Sequence, residues 1–435
     1  MINTIKNILD GFDIKAYKIV EDCTTSEEVF LVKKDVDITR SKDVHHFKVT
    51  VYKDFTEGNS KFTGSAALDI HPTMTEAEIK KSIESGIFAA GFVKNEYYEL
   101  PKGEASTTKK LTSNFAELPL NAWMPKIVDA LYVYDTEEKG GINSTEIFLN
   151  KNYKRIVTSE GTDVSYESYD GMLEFVTNWK ESPEDEEIEL YKAITFSDFD
   201  ADFIANTAKD MISRASARAK AKEAAPSGKY KVILTGGDLV KETLSYYYYK
   251  TVASAVYNKI STFEVGKSVQ GTDITGDLIN VSLDPTIKNS IHSVPFDNDG
   301  IALSPVSIIE DGVLKAYHGD LRHSYYLKQK PTGSIGNFIV KTGNKTTAEM
   351  KSEPYLELLT FSDFQMDPTT GDFGGEIRLG LYFDGNTVTP VTGGSLSANI
   401  QELEGNMHLS KESESDEGFV GPKSLEFYNV TIAGK

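Results

Sequence analysis

The sequence predicts an α+β fold in two parts. An N-terminal α/β half over residues 1–226 combines an antiparallel sheet with helices and divides further into 1–100 and 120–226; a strand-rich C-terminal domain covers 227–435. Three observations carry this prediction. Runs of alternating or clustered β-branched and aromatic residues recur from Ala16 onward. Between them stand a few stretches with apolar residues at helical spacing. The turn composition of Pro226-Ser227-Gly228 ends the longest of these and marks the main boundary. At 435 residues the chain is too long for one ordinary core.

In order, residues 2–12 form a short amphipathic helix with Ile5, Ile8 and Leu9 on one side. Strand periodicity then takes over at 16–20, 28–33, 35–41, 44–52 and 58–69, an antiparallel meander. Residues 73–90 return to helix. Thr73 is placed as N-cap with Glu76 three residues on, a capping box, while Ile79, Ile83, Ile87 and Phe88 face the sheet and Gly91 is the stop. The polar segment 101–120 is a connection. A helix follows at 122–134, then strands at 144–150 and 154–159 joined by Asn150-Lys151-Asn152 as a hairpin turn, then strand character from 163 to 176. The acidic stretch 181–189 reads as a solvated turn. Residues 199–225 make the clearest helix, with Phe203, Ile204, Ala208, Met211, Ile212, Ala215 and Ala219 on one stripe. Its Arg214, Arg218, Lys220 and Lys222 complement the helix dipole near the C-terminus.

The second half opens with a buried strand, Tyr230 to Leu234, a Thr235-Gly236-Gly237 turn and a long amphipathic helix that Asp238 can cap. Leu239, Thr243, Leu244, Tyr247 and Tyr248 form its apolar face; Lys241, Glu242 and Lys250 lie opposite. Tyr246, Tyr247, Tyr248 and Tyr249 point all round this helix, so some belong to the core and the others are candidates for a groove or an interface. Short strands are expected at 263–265, 277–281, 306–310, 338–341, 356–362, 374–383 and 425–430, a strand leading into a short helical segment within 312–328, and a helix at 346–350.

Composition excludes several functions. A formal charge of −20 repels nucleic acid phosphates and anionic membranes. No apolar leader region or stretch of about 18 apolar residues is present, so a soluble cytoplasmic protein is expected. The single cysteine, Cys23, rules out an intrachain disulfide and a cysteine-cluster metal site, and its acidic neighbours Glu21 and Asp22 give no support to a thiolate.

Candidate chemistry is sparse. His45 and His46 are adjacent in a strand and point to opposite faces. His318 and His323 in HGDLRH are the only histidine pair with suggestive spacing, but Gly319 stands where a zinc hydrolase needs a water-activating Glu. Asp297 to Gly300 resembles the start of a calcium loop that lacks the acidic twelfth position, since Ile308 stands there; a tight turn with Gly300 at positive φ fits better. Ser245 and Ser324 lack a nucleophile-elbow context. Gly236-Gly237 completes no phosphate-binding motif.

Several phrases in register across residues 230–435 resemble the TldD/PmbA family, once called modulators of DNA gyrase and regarded as zinc-dependent peptidase subunits. They are FDNDG at 296–300, IIEDGVLKAY at 308–317, Pro331-Thr332-Gly333, NFIVKTGNKTTAEM at 337–350, GDFGGEIRLGLYFDGNTVTPV at 371–391 and LEFYNVTIAG at 425–434. The N-terminal half resembles it more loosely, through EVFLVKKDVDITRSKDVHHFKVTVYK and Gly64-Ser65-Ala66. The resemblance implies a TldD/PmbA-type C-terminal domain. In the family's catalytic subunit it also implies a His-Glu-x-x-x-His helix after the first strand of that domain, plus a cysteine ligand near the C-terminus. Here that helix contains no histidine, residues 392–435 contain no cysteine, and Glu242 is left without a metal-bound water to deprotonate.

The chain therefore resembles the PmbA (TldE) side. The implied role is a non-catalytic subunit without cofactor that pairs with a TldD-like zinc peptidase subunit in the proteolysis of unfolded or short peptides. Its peptide is expected to bind by strand addition along Gly374, Gly375, Glu376 and Ile377, where paired glycines permit close backbone approach. Two alternatives stay open. One is an independent peptidase or hydrolase with a metal site at His318 and His323; the other is a stand-alone peptide-binding homodimer.

Overall fold

The computed structural model describes residues 1–103 and 107–435; the expected connection over 101–120 falls in part on residues 104–106, outside the described residues. The N-terminal part is built on very long strands. After helix α1 (Ile2–Leu9) come β1 (Ala16–Val32), β2 (Asp35–Glu57) and β3 (Ser60–Ile70), then α2 (Glu76–Ala90), β4 (Thr107–Lys110), α3 (Met124–Leu131), β5 (Gly140–Thr158), β6 (Asp163–Trp179), β7 (Ile188–Phe196) and α4 (Ala201–Lys220). The seven strands form one sheet in the order β3-β2-β1-β5-β6-β4, with β7 also on β6. β1 pairs antiparallel with β5 from Lys18–Thr158 to Val32–Ser144. Strands from both sides of the expected division at 100–120 join in this one sheet, β1–β3 lying together on one side of the β1–β5 pairing and β4–β7 on the other.

One face of the sheet carries helices at both ends. At one end α1 and α2 cover Ile19, Phe47 and Val49; at the other α3 and α4 cover Val29, Ile147, Leu173 and Phe175. Several local expectations change. Asn150-Lys151-Asn152 lies inside β5 rather than in a turn, because its amides find cross-strand partners. Thr24 Oγ1 donates to Asn152 Oδ1 at 2.8 Å, and Asn150 Nδ2 donates to Asp170 Oδ1 at 2.7 Å. The capping box of α2 is Thr75 with Glu78, two residues later than expected, so the buried stripe runs through Ile79, Ile83, Gly86 and Ala90. Phe88 lies off that stripe at 71 % exposure. Gly91 ends α2 with an ordinary negative φ.

The C-terminal part begins with β8 (Gly228–Thr235), α5 (Gly237–Lys250) and α6 (Ala253–Tyr257). It continues through β9 (Val281–Leu283), β10 (Val306–Glu310), β11 (Val313–Leu314), α7 (Leu321–Tyr326), β12 (Phe338–Val340), α8 (Thr347–Met350), β13 (Tyr355–Met366), β14 (Asp372–Phe383) and β15 (Val388–Val391). It ends with β16 (Ser395–Asn399), β17 (His408–Leu409), β18 (Ser413–Asp416), β19 (Phe419–Pro422) and β20 (Ser424–Ala433). The order β13-β8-β20-β16-β14 closes on itself, because β13 also pairs with β14. β15 on β14 and β17 on β20 bring that sheet to seven strands, and the other six form a second sheet, β11-β10-β9-β12-β19-β18. One large core holds Val232, Leu234, Leu244, Tyr247, Phe338 and Phe427. The strand expected at 263–265 is absent, and the one expected at 277–281 begins only at Val281. Among the described residues, no helix is long and apolar enough to cross a membrane.

Candidate functional site

The site is best built from β8 and α5. β8 is fully buried from Val232 to Leu234, and Gly236 then turns the chain at φ 128°, a conformation that excludes most side chains. That turn starts the helix earlier than expected. Gly236 takes the N-cap position, while Asp238 lies in the first turn, accepting from Leu239 N at 3.0 Å and from Lys192 Nζ at 3.1 Å. Gly237 is needed for proximity: a Cβ there would stand 2.9 Å from Asp416 Cβ.

Around this turn a cleft of about 860 Å³ opens between β7 and α4 on one side and α5, β13 and β18 on the other. Its charges are mutually engaged. Lys192 lies 3.1 Å from Asp238 and 3.7 Å from Asp416; Lys241 lies 3.6 Å from Asp416 and 3.0 Å from Glu417. Arg214 pairs with Asp210 at 2.7 Å and donates to the Leu359 carbonyl at 2.6 Å. Burial acts to raise Asp238, but Lys192 and Arg214 outweigh it and hold the carboxyl low. Asp416 ends above its ordinary range, because there burial exceeds the attraction of Lys192 and Lys241. Lys192 is raised against the effect of its burial by Asp238 and Asp416.

Glu242 accepts from Met366 N at 3.3 Å. A His-Glu-x-x-x-His frame laid on Glu242 places its outer donors at positions 241 and 246. Position 241 is an ammonium, which has no lone pair to give while it is paired with Glu417. Position 246 is a phenol, 2 % exposed, that accepts from Gln401 Nε2 at 2.8 Å and is pushed up to about 12 by burial. These groups do not fit zinc. Neither histidine nor cysteine lines the cleft among the described residues.

The tyrosine run is mostly interior. Tyr247 is fully buried and donates to Glu404 Oε2 at 2.7 Å. Tyr248 donates to the Ile335 carbonyl at 2.8 Å and packs on His318 and Phe338. Only Tyr249, 50 % exposed, remains open to a groove or interface. Lys250, expected on the polar face, is buried and donates to the carbonyls of Ile260 and Thr369 at 3.1 and 2.8 Å.

The expected peptide edge at Gly374 to Ile377 is not an edge. Gly374 and Gly375 face Gln365 and Phe364 of β13 on one side and Ser397 and Leu396 of β16 on the other. Glu376 pairs with Ser395, and Ile377 with Phe361. The glycines instead allow the ring of strands to close, since a Cβ would lie 2.1 Å from Leu396 O at Gly374 and 1.9 Å from Asp363 O at Gly375.

The two histidines of HGDLRH serve separate partners. His318 is buried, its Nε2 is 3.0 Å from the Tyr248 carbonyl, and burial holds it down to about 4, so it is a neutral donor. His323 Nδ1 lies 2.7 Å from Asp320 Oδ2 at the start of α7. Among the described residues neither belongs to a group of three convergent metal-ligating side chains. Asp297 to Gly300 is a tight turn, with Gly300 at φ 79° and Asp297 accepting from the amides of Asp299, Ile301 and Ser334.

Sequence reasoning missed Lys192 and Asp416. The signal for Lys192 was present: Leu190, Ile194 and Phe196 alternate through β7. Asp416 has no local signature, because long-range packing alone brings it to α5.

Comparison with known proteins places these features. Residues 227–434 match the family described as the PmbA/TldA metallopeptidase C-terminal domain. Among curated proteins, a Metalloprotease PmbA homolog of Buchnera aphidicola is 24 % identical over 96 % of this chain and 93 % of its own length. An uncharacterized protein of Methanocaldococcus jannaschii is 26 % identical over 31 % of this chain; the match spans only 35 % of that protein. The crystal structure of TldE from Thermococcus kodakarensis superposes with a TM-score of 0.77 at 15 % identity, covering 100 % of both chains. That likeness establishes the mixed α+β fold.

Proposed function

The chain belongs to the TldD/PmbA family, and from that premise we propose that it is a non-catalytic, PmbA/TldE-like subunit of a metallopeptidase complex. In this reading a TldD-like subunit supplies the zinc and the hydrolysis of unfolded or short peptides. The observation that carries it is the pair flanking Glu242: an ion-paired Lys241 and a buried, hydrogen-bonded Tyr246 stand where metal ligands are needed.

A sheet edge left open among the described residues supports the need for a partner. β2 pairs with β1 along residues 35–46, while β3 joins its other side only from Phe47 onward. Along that open edge Val36 and Ile38 are exposed. Unpaired main-chain groups beside exposed β-branched residues are a template for a further strand. The test is co-purification with the TldD-like protein of the same cell. The reading requires a stable complex that cleaves peptide and a lone chain that does not. Peptide cleavage by the lone chain, with zinc lost on His323→Ala, would favour an independent hydrolase.

A further inference from the structure

One group of side chains outside the cleft points to a separate activity. Glu21 and Cys23 are two residues apart in β1 and so project from the same face. His45 of β2 is the register partner of Cys23. A carboxylate oxygen, the thiol sulfur and a ring nitrogen of these three residues all lie within 4.8 Å of one another, and His45 Nε2 is 2.9 Å from Glu21 Oε1. The strand ladder, not a loop, fixes this arrangement.

The position on the sheet matters as much as the donors. The same face is covered at one end around Ile19 and Phe47 and at the other around Val29 and Leu31. Glu21, Cys23 and His45 occupy the gap between these two covered regions. The His45 side chain is 40 % exposed and that of Glu21 16 %, so an ion can reach them from solvent while the strands hold them.

We propose that Glu21, Cys23 and His45 form a binding site for a thiophilic divalent cation of the zinc class, bound through sulfur, nitrogen and oxygen with a fourth position open to water. One thiolate and one imidazole select against magnesium and calcium, which take oxygen donors. Metal–ligand bonds of about 2.0–2.3 Å require the three donors to draw in by roughly 1 Å, which side-chain rotation supplies once the His45–Glu21 hydrogen bond opens. Binding replaces the thiol proton: the S–H bond breaks, the sulfur–metal bond forms and the proton passes to solvent. The nearby guanidinium of Arg155 is committed to Asp163 through two 2.9 Å hydrogen bonds. This site is independent of the role assigned to α5, so its failure leaves that assignment untouched.

Cys23 is the chain's only cysteine, which makes the test clean. The full chain, stripped with a chelator, is titrated with cobalt(II) and then with zinc. The expected result is one equivalent of cobalt with a sulfur-to-metal charge-transfer band, displaced by one equivalent of zinc. His45→Ala and Glu21→Gln should each weaken binding by about tenfold or more. In parallel, one equivalent of zinc should slow alkylation of Cys23 by about tenfold in the native chain and much less in His45→Ala. This second readout needs no substitution at the cysteine. Absence of the band, or a band and a protection indifferent to both substitutions, overturns the proposal.

Discussion

Lys192 of β7 reaches Asp238 of α5 at 3.1 Å, so a charge pair spans the cleft and ties the first turn after the glycine pair to the N-terminal sheet. The same ammonium lies 3.7 Å from Asp416. Removing it leaves the mostly buried Asp416 with Lys241 as its one remaining paired cation, while Asp238 is about half exposed. Lys192→Ala should destabilise the chain by about 1 kcal/mol, whereas Lys139→Ala, at the exposed pair with Glu181, should cost less than about 0.5 kcal/mol. Denaturant midpoints of the two variants compare them directly.

The glycines of β14 are structural. Gly375→Ala places a methyl against the Asp363 carbonyl and should cost about 3 kcal/mol or more through forced separation of β13 and β14. The expected readout is a lowered thermal midpoint. Peptide affinity lost at an unchanged midpoint would restore a binding role to this strand.

Acid should weaken the fold through His318. Its ring is neutral in the folded state down to about pH 4 but takes a proton near its ordinary value of 6.5 when unfolded. Between those values the unfolded chain binds more protons, so stability is complete above about pH 6.5 and falls as pH drops toward 4, by at most about 3 kcal/mol. His318→Gln, which keeps a donor for the Tyr248 carbonyl, should flatten the stability profile across that window.

Much of this molecule was legible in its sequence, and the failures have a common cause. The buried stripe of α4, the β8–turn–α5 unit and the short α8 follow from local periodicity and caps, which depend on near neighbours. Asn150-Lys151-Asn152 misled because turn-forming amides are equally content with Thr24 and Asp170 on adjacent strands. The paired glycines of β14 misled because close backbone approach has the same sequence signature whether the approaching chain is a ligand or β16. The absence of histidine from α5 was visible at once. That Lys241 and Tyr246 are each committed to a partner needed Glu417 and Gln401, distant in sequence, to be brought beside them.

The open stretch of β2 makes the partner reading specific. Ile38→Lys adds a charge to an exposed edge position without disturbing a buried contact. It should abolish or weaken association with the TldD-like subunit by about tenfold or more while moving the thermal midpoint little. Light scattering of the mixed proteins reads the first effect and a melting curve the second.

The most direct test of the central claim is Glu242→Gln in this chain, assayed as peptide cleavage by the complex reconstituted with its TldD-like subunit. The amide keeps an oxygen for Met366 N, so the fold is retained. A helix without chemistry predicts a rate unchanged within about twofold. A loss of about a hundredfold, the scale expected for a general base, would contradict it.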